Sequence, residues 1–298
     1  MSLTKSILED SESSYMSTYE SSLSLWPVPY KTKYVSTKFG STHVIESGPE
    51  SGSPLLLLHG HGFSSTMWYP NIQELSKKYR TYAIDIIGDR NKTIPKVPPE
   101  NRREYAVWLE EVMNQLNIQT ADIAGISYGG LIALNFAINF PKRVGKLIVL
   151  SPSSGLAKVK PSFLFKVVPK AIMLSFNKKR LADYLLYNML QKRYNFHPTY
   201  YNQFIAGAVW KNPHKGIKAK KSSWPYVFKD EELKQIEAKT LILVGELDNF
   251  HEPKQVIQRA NRCINHVQAS IVSRSGHLLN MEQSIEVNKR INFFLEKA

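Results

Sequence analysis

Three residues in this chain have the types that nucleophilic catalysis needs, and each stands where a short apolar run ends. Ser127 closes "ADIAGIS" and lies in "GISYGG", with Gly125 and Gly129 in the spacing G-x-S-x-G. Asp248 closes "LILVGELD", and His277 closes "IVSRSGH". A serine hydroxyl is a weak nucleophile until a neighbouring base takes its proton. His277 can be that base. Asp248 can hold the imidazole in the right tautomer and stabilise the imidazolium. Five residues around one serine do not decide the matter, because a glycine-softened turn could carry a serine by accident. The phosphate-cradling turns would need G-x-G-x-x-G or G-x-x-x-x-G-K-[ST], and neither is present.

Other residues compete for the same roles. Glu246 and Glu252 are rival acids, and His251 is a rival base three residues after Asp248. His251 precedes a helix instead of following the last strand, which favours His277. His59 and His61, two apart, form a conceivable metal pair, but no Cys/His/Asp cluster accompanies them in the sequence, so no metal and no cofactor is expected.

The elements that must position these groups follow from hydrophobic periodicity. "KYVSTKFGSTHVIESG" alternates around Gly40 and predicts two short strands. "SPLLLLHG", "TYAIDIIG", "TADIAGIS", "GKLIVLS", "KTLILVG" and "HVQASIVS" are short apolar runs of the kind that form buried strands. Between them, "SSTMWYPNIQELSKKY", "NRREYAVWLEEVMNQLN", "YGGLIALNFAINF", "PKQVIQRANRC" and "SIEVNKRINFFLEK" carry apolar residues at helical spacing. Alternating strands and helices predict an α/β fold with a mostly parallel sheet covered on both faces. In such a sheet functional groups gather at the carboxyl ends of the strands, where all three residues fall.

The combination resembles the α/β-hydrolase superfamily, and is similar to its bacterial carboxylesterase-like members with a helical cap. The resemblance rests on "LLLLHGHGFSS", "GISYGG", "LILVGELD" and "SGHLLNMEQ", in that order over about residues 31–298. The order Ser, Asp, His is the chain order of the triad in this fold. The resemblance implies a serine hydrolase that cleaves a carboxylic ester through Ser127, His277 and Asp248. It also implies an oxyanion hole made by the backbone N–H groups of Tyr128 and His61, with Gly62 as the alternative donor because the second His-Gly makes the register ambiguous. Thioester, lactone, amide and C–C hydrolysis and perhydrolysis stay open, since one triad serves all of them. A non-catalytic ligand binder on the same fold is the competing class. One departure stands out: the D-x-x-G-x-G-x-S loop of many relatives reads "DIIGDRNKT" here, with Asp85, Asp89 and Arg90.

The alternation breaks once, which divides the chain into an N-terminal arm (1–30), an α/β core (31–151 and 239–298) and a helical cap (152–238) inserted after the sixth strand. Charge marks the same insertion. Lys158 to Lys221 holds fourteen lysines and arginines against one acid, Asp183, within a net charge of +14. Aromatic residues interleave with it: Phe163, Phe165, Phe176, Tyr184, Tyr187, Tyr194, Phe196, Tyr200, Tyr201, Phe204, Trp210 and Trp224. The plain reading is an aromatic underside on the site and a solvated basic top. The sharper one is a positive field that attracts anionic esters or an anionic lipid surface. Nucleic acid is not expected, for want of a recognition motif. No apolar run reaches the ~20 residues of a membrane-spanning helix. The Ser-rich start lacks the pattern of a secretory signal, and the single cysteine, Cys263, fits a reducing compartment, so a cytoplasmic location is expected. Oligomeric state is not legible.

Overall fold

The computed structural model describes residues 2–190, 196–210 and 226–297, with side chains in the N-terminal helix described from Ser13 onward. Tyr194 and Trp224 lie outside the described residues.

The four leucines of "SPLLLL" show how the sheet is built. They sit in β3 (Ser53–Leu58), fully buried. Side chains alternate across a strand, so Leu56 and Leu58 enter one core layer while Leu55 and Leu57 enter the other. The same division holds in β6 (Ala121–Ile126), β7 (Val144–Leu150) and β8 (Lys239–Gly245), which explains their near-continuous apolar sequence. The sheet is completed by β1 (Tyr30–Thr37), β2 (Gly40–Ser47), β4 (Tyr79–Ile84), the two-residue β5 (Ile94–Pro95) and β9 (Val267–Val272). Its order is β1-β2-β4-β3-β6-β7-β8-β9, with β5 paired to β2. From β4 to β9 neighbours run parallel, and the β1, β2 and β5 pairings are antiparallel. Because β5 was not foreseen, the strand before the long insertion is seventh in chain order.

On one face α3 (Arg102–Gln115), α4 (Tyr128–Asn139) and α9 (Pro253–Cys263) bury Trp108, Leu109, Phe136 and Val256. On the other, α2 (Tyr69–Leu75) and α11 (Ser284–Glu296) bury Ile72, Leu75, Ile291 and Phe294. Between β7 and β8 come α5 (Pro161–Met173), α6 (Lys178–Met189), α7 (Pro198–Val209) and the one-turn α8 (Asp230–Leu233). A second one-turn helix, α10 (Leu279–Glu282), follows His277.

The N-terminal segment, for which the sequence suggested no element, is a helix: α1 (Ser2–Leu23). Tyr15, Tyr19 and Leu23, spaced four apart, are buried in the second core layer. Tyr15 stacks on Trp210, which directly follows α7, with ring centroids 4.6 Å apart. Its hydroxyl donates to the Arg90 carbonyl.

Candidate active site

The strand order reverses at β3, with β4 on one side and β6 on the other, and the crevice of such a sheet opens there. β6 delivers Ser127 to that crevice. Gly125 and Gly129 make the turn possible. A Cβ on Gly125 would lie 2.3 Å from the Gly129 carbonyl oxygen, and one on Gly129 would lie 2.2 Å from that of Leu58. Ser127 itself takes φ 54 and ψ −115, a conformation costly for a residue with a Cβ. Its backbone is held in place by a bond from its N–H to Leu150 (2.9 Å) and one from Ser153 to its carbonyl (3.0 Å).

The structure brings the three sequence-derived residues together. His277 Nε2 lies 2.8 Å from Ser127 Oγ, and His277 Nδ1 lies 2.8 Å from Asp248 Oδ2. All three are buried. An ionised carboxylate can only accept, so Nδ1 carries the proton and Nε2 is left to accept from the serine hydroxyl. Asp248 Oδ1 accepts from the Phe250 N–H at 2.8 Å. Burial alone would raise the Asp248 carboxyl; the charge and hydrogen bond of His277 outweigh it, and the net displacement is downward. The loops carrying acid and base are tied to each other by the Leu247 N–H on the Ser275 carbonyl (2.9 Å).

Three supporting contacts had no sequence signal. The His277 backbone N–H donates to the carbonyl of Met189, at the end of α6, at 2.7 Å. The Phe250 ring stacks on the His277 imidazole at 4.6 Å. Lys160 Nζ donates to the Asp248 carbonyl at 2.7 Å. The rivals are engaged elsewhere. Glu246 accepts from the Arg274 N–H, and Glu252 faces Lys160. His251 Nε2 accepts from the Ser154 N–H at 3.1 Å, and burial lowers its pKa from 6.5 to about 4, so it is neutral in the fold.

The second loop at the crevice follows β3. Phe63 N–H closes a turn on the Gly60 carbonyl at 3.2 Å, and Gly62 has φ 79, as the third residue of a type II turn requires. His59 staples the turn from beneath. Its Nε2 accepts from the Ile86 N–H (2.9 Å), so its Nδ1 carries the proton and donates to the Gly60 carbonyl (2.8 Å). In a trans peptide the N–H points opposite the carbonyl, so the His61 N–H is directed away from His59.

Asp89 clamps the same turn from the side. Both its oxygens accept from the Gly62 N–H, at 3.0 and 2.9 Å, and Oδ2 lies 3.2 Å from His61 Nδ1. This removes Gly62 as an alternative oxyanion donor, because its N–H is turned onto a buried carboxylate. The charge of Asp89 raises the pKa of the exposed His61 imidazole, and the charge of Arg90 opposes the rise. Asp89 itself is displaced far downward: burial acts to raise it, and His61 and the Gly62 N–H prevail. Tyr128 is the first residue of α4, where N–H groups have no acceptor within the helix. Its ring stands edge-on to His61 at 5.8 Å.

Asp85, the other acid of the departing loop, lies deeper. It accepts from Tyr19 Oη (3.0 Å), the Ser65 N–H (2.8 Å) and the Lys92 N–H (3.1 Å), and pairs with His43 (3.0 Å). It thus ties α1 to the loops beside the site.

A profile of the family described as alpha/beta hydrolase fold matches residues 53–284. The chain is 41% identical to a Bacillus subtilis (strain 168) protein named uncharacterized carboxylesterase nap, over 96% of this chain and 94% of the relative. It is 39% identical to carboxylesterase YbfK of the same organism, over 93% and 92%. Among solved structures, carboxylesterase CesB (YbfK) and naproxen esterase (carboxylesterase NP), both from Bacillus subtilis, superpose with TM-scores of 0.90. Their identities are 39% and 40%, and each comparison covers 96% of this chain and 99% of the other.

Proposed function

We propose that this chain, which belongs to the α/β-hydrolase family, is a carboxylesterase that works through Ser127, His277 and Asp248. The observation that carries the reading is the unbroken run of two 2.8 Å contacts from the serine oxygen through the imidazole to the carboxylate.

His277 Nε2 takes the Ser127 proton as Oγ attacks the ester carbonyl carbon. The new C–O bond pushes the carbonyl electrons onto oxygen, and Asp248 stabilises the imidazolium formed. The oxyanion is held by the backbone N–H groups of Tyr128 and His61. The first belongs to a helix N-terminus and the second to a turn whose plane is set by His59 and Asp89, so both donors stand oriented before the charge develops. When the tetrahedral species collapses, His277 gives its proton to the leaving alcohol and an acyl-Ser127 remains. Water, deprotonated by the same imidazole, then releases the carboxylic acid and restores the serine.

The substrate class we infer is a small-molecule ester, with a preference for those carrying negative charge. Arg90 stands beside Gly62, the His61 imidazole is held toward its charged form, and the helices α5 and α6 are strongly basic. No described helix is long and apolar enough to cross a membrane, and we place the enzyme in the cytoplasm, where a lone cysteine stays reduced. The test is a panel of esters varying in acyl length and charge. Wild type should hydrolyse them, Ser127→Ala should not, and kcat/KM for anionic members should fall as salt rises while neutral members stay unchanged. Equal hydrolysis by wild type and Ser127→Ala would refute the reading.

A further inference from the structure

Helix α5 buries only Val167 of its 13 residues. At its inner side Phe163 packs on Phe250, with ring centroids 4.2 Å apart. Its other large apolar side chains face outward. Phe165 is 80% exposed, Ile172 and Met173 are each 66% exposed, and Phe176, in the turn before α6, is 97% exposed. Phe165, Val168 and Ile172, spaced i, i+3 and i+7, share one side of the helix. A helix turns about 100° per residue, so Lys166 lies well round from that stripe and Lys170 nearly opposite it, with its ammonium over the Tyr184 ring. Lys178, Lys179 and Arg180 open α6 directly beyond Phe176. From Lys158 to Leu190 the sequence holds seven lysines and arginines and one acid, Asp183, and that acid accepts the Tyr201 hydroxyl. The expectation of an aromatic underside holds for Tyr200, Phe204 and Trp210, which are buried, and is corrected at Phe165 and Phe176, which turn outward.

Single exposed apolar residues are ordinary, but a contiguous stripe of large ones fringed by one sign of charge marks an interaction surface. We propose that the outer face of α5 and the α5–α6 turn docks on an anionic lipid surface. Phe165, Ile172 and Phe176 enter the acyl boundary, and Lys178, Lys179 and Arg180 meet the headgroup phosphates. Charge decides the occupant. A second copy of the chain would bring the same positive fringe against itself. A nucleic acid would satisfy the charges and leave the apolar stripe in water. The docked helix is joined to the active site through Phe163 and through the Lys160 N–H on the Phe250 carbonyl, at 2.7 Å. The proposal does not depend on the catalytic reading.

The experiment is co-sedimentation of the full chain with vesicles of phosphatidylcholine alone, or with roughly 30% phosphatidylglycerol. Wild type should sediment with the anionic vesicles and not with the neutral ones. The triple variant Phe165→Ser/Ile172→Ser/Phe176→Ser, and separately Lys178→Glu/Lys179→Glu/Arg180→Glu, should each weaken partitioning by about tenfold or more. Circular dichroism and thermal melting establish that both variants are folded, independently of any hydrolytic activity. Docking and the esterase reading can therefore fail separately. Wild type that ignores anionic vesicles, or a serine variant that binds like wild type, would overturn the proposal. So would a wild-type dimer in sedimentation velocity that the serine variant dissolves, since it would give the stripe to a second copy.

Discussion

Replacing Asp89 by alanine removes the carboxylate that holds the Gly62 N–H, and with it one of three restraints on the turn that carries the His61 donor. Both Asp89 oxygens lie within 3.0 Å of that N–H. A hydrogen bond to a charged acceptor contributes about 1.5–3 kcal/mol. The complete loss of one oxyanion donor costs about 2.7–4 kcal/mol of transition-state stabilisation. The Asp89→Ala turn still has the His59 staple on the Gly60 carbonyl and the Phe63 bond, so the donor is loosened and not lost. The expected effect on kcat is therefore the clamp's share, about ten- to a hundredfold. KM should move little, because the donor acts on charge that exists only in the transition state. Asp89→Asn keeps one acceptor at the same reach and should recover most of the rate. The pH dependence separates this from general loosening. In wild type the Asp89 charge raises the His61 imidazole above 6.5; in Asp89→Asn its midpoint should fall back toward that value, as read by NMR of the imidazole protons. Steady-state kinetics on one soluble ester, with thermal melts of each variant, is the assay. A kcat for Asp89→Ala within twofold of wild type would refute the reasoning, whatever the change in melting temperature.

Further expectations follow from the same geometry. Asp248→Asn should fold normally and lose most of kcat, about 10⁴-fold by wrong-tautomer logic; full activity would pass the acid's role to Glu246 or Glu252. His251 has its pKa depressed to about 4, so it binds a proton more readily unfolded than folded. Its contribution to stability is complete above 6.5 and lost as pH falls through that value toward 4, and His251→Gln should flatten the acid side of the stability curve in urea titrations. Gly129→Ala places a Cβ 2.2 Å from the Leu58 carbonyl, with no flexible side chain to yield, so soluble expression should collapse where a surface alanine substitution has no effect.

Much of the core was legible because a buried parallel strand has to be apolar throughout, and each strand here ends in small or polar residues that the eye can find. Leu55 to Leu58 and the glycines of "GISYGG" are such signals. The helix α1 is hidden in the sequence, since serine and acid dominate its composition; its signal is the spacing of Tyr15, Tyr19 and Leu23, diluted by polar neighbours. In the sequence Asp89 stands out only as a departure from the loop pattern of relatives. Its work lies in reaching a backbone N–H from another loop, which no local pattern records. The rivalry among Asp248, Glu246 and Glu252 was likewise a question of three dimensions: all three follow one strand, and only the turn after β8 brings Asp248 to the His277 ring. Phe165 and Phe176 misled for the opposite reason, because aromatic residues at helical spacing usually mean a buried face, and here they lie on the surface.

The central claim is that Ser127 is a nucleophile activated by His277. A serine-reactive phosphonate tests it most directly, with the modified peptide identified by mass spectrometry. The account predicts one label per chain, on the peptide containing Ser127, at a rate that falls steeply in His277→Ala and to zero in Ser127→Ala. Labelling of another residue, or none on the folded wild-type protein, would contradict it.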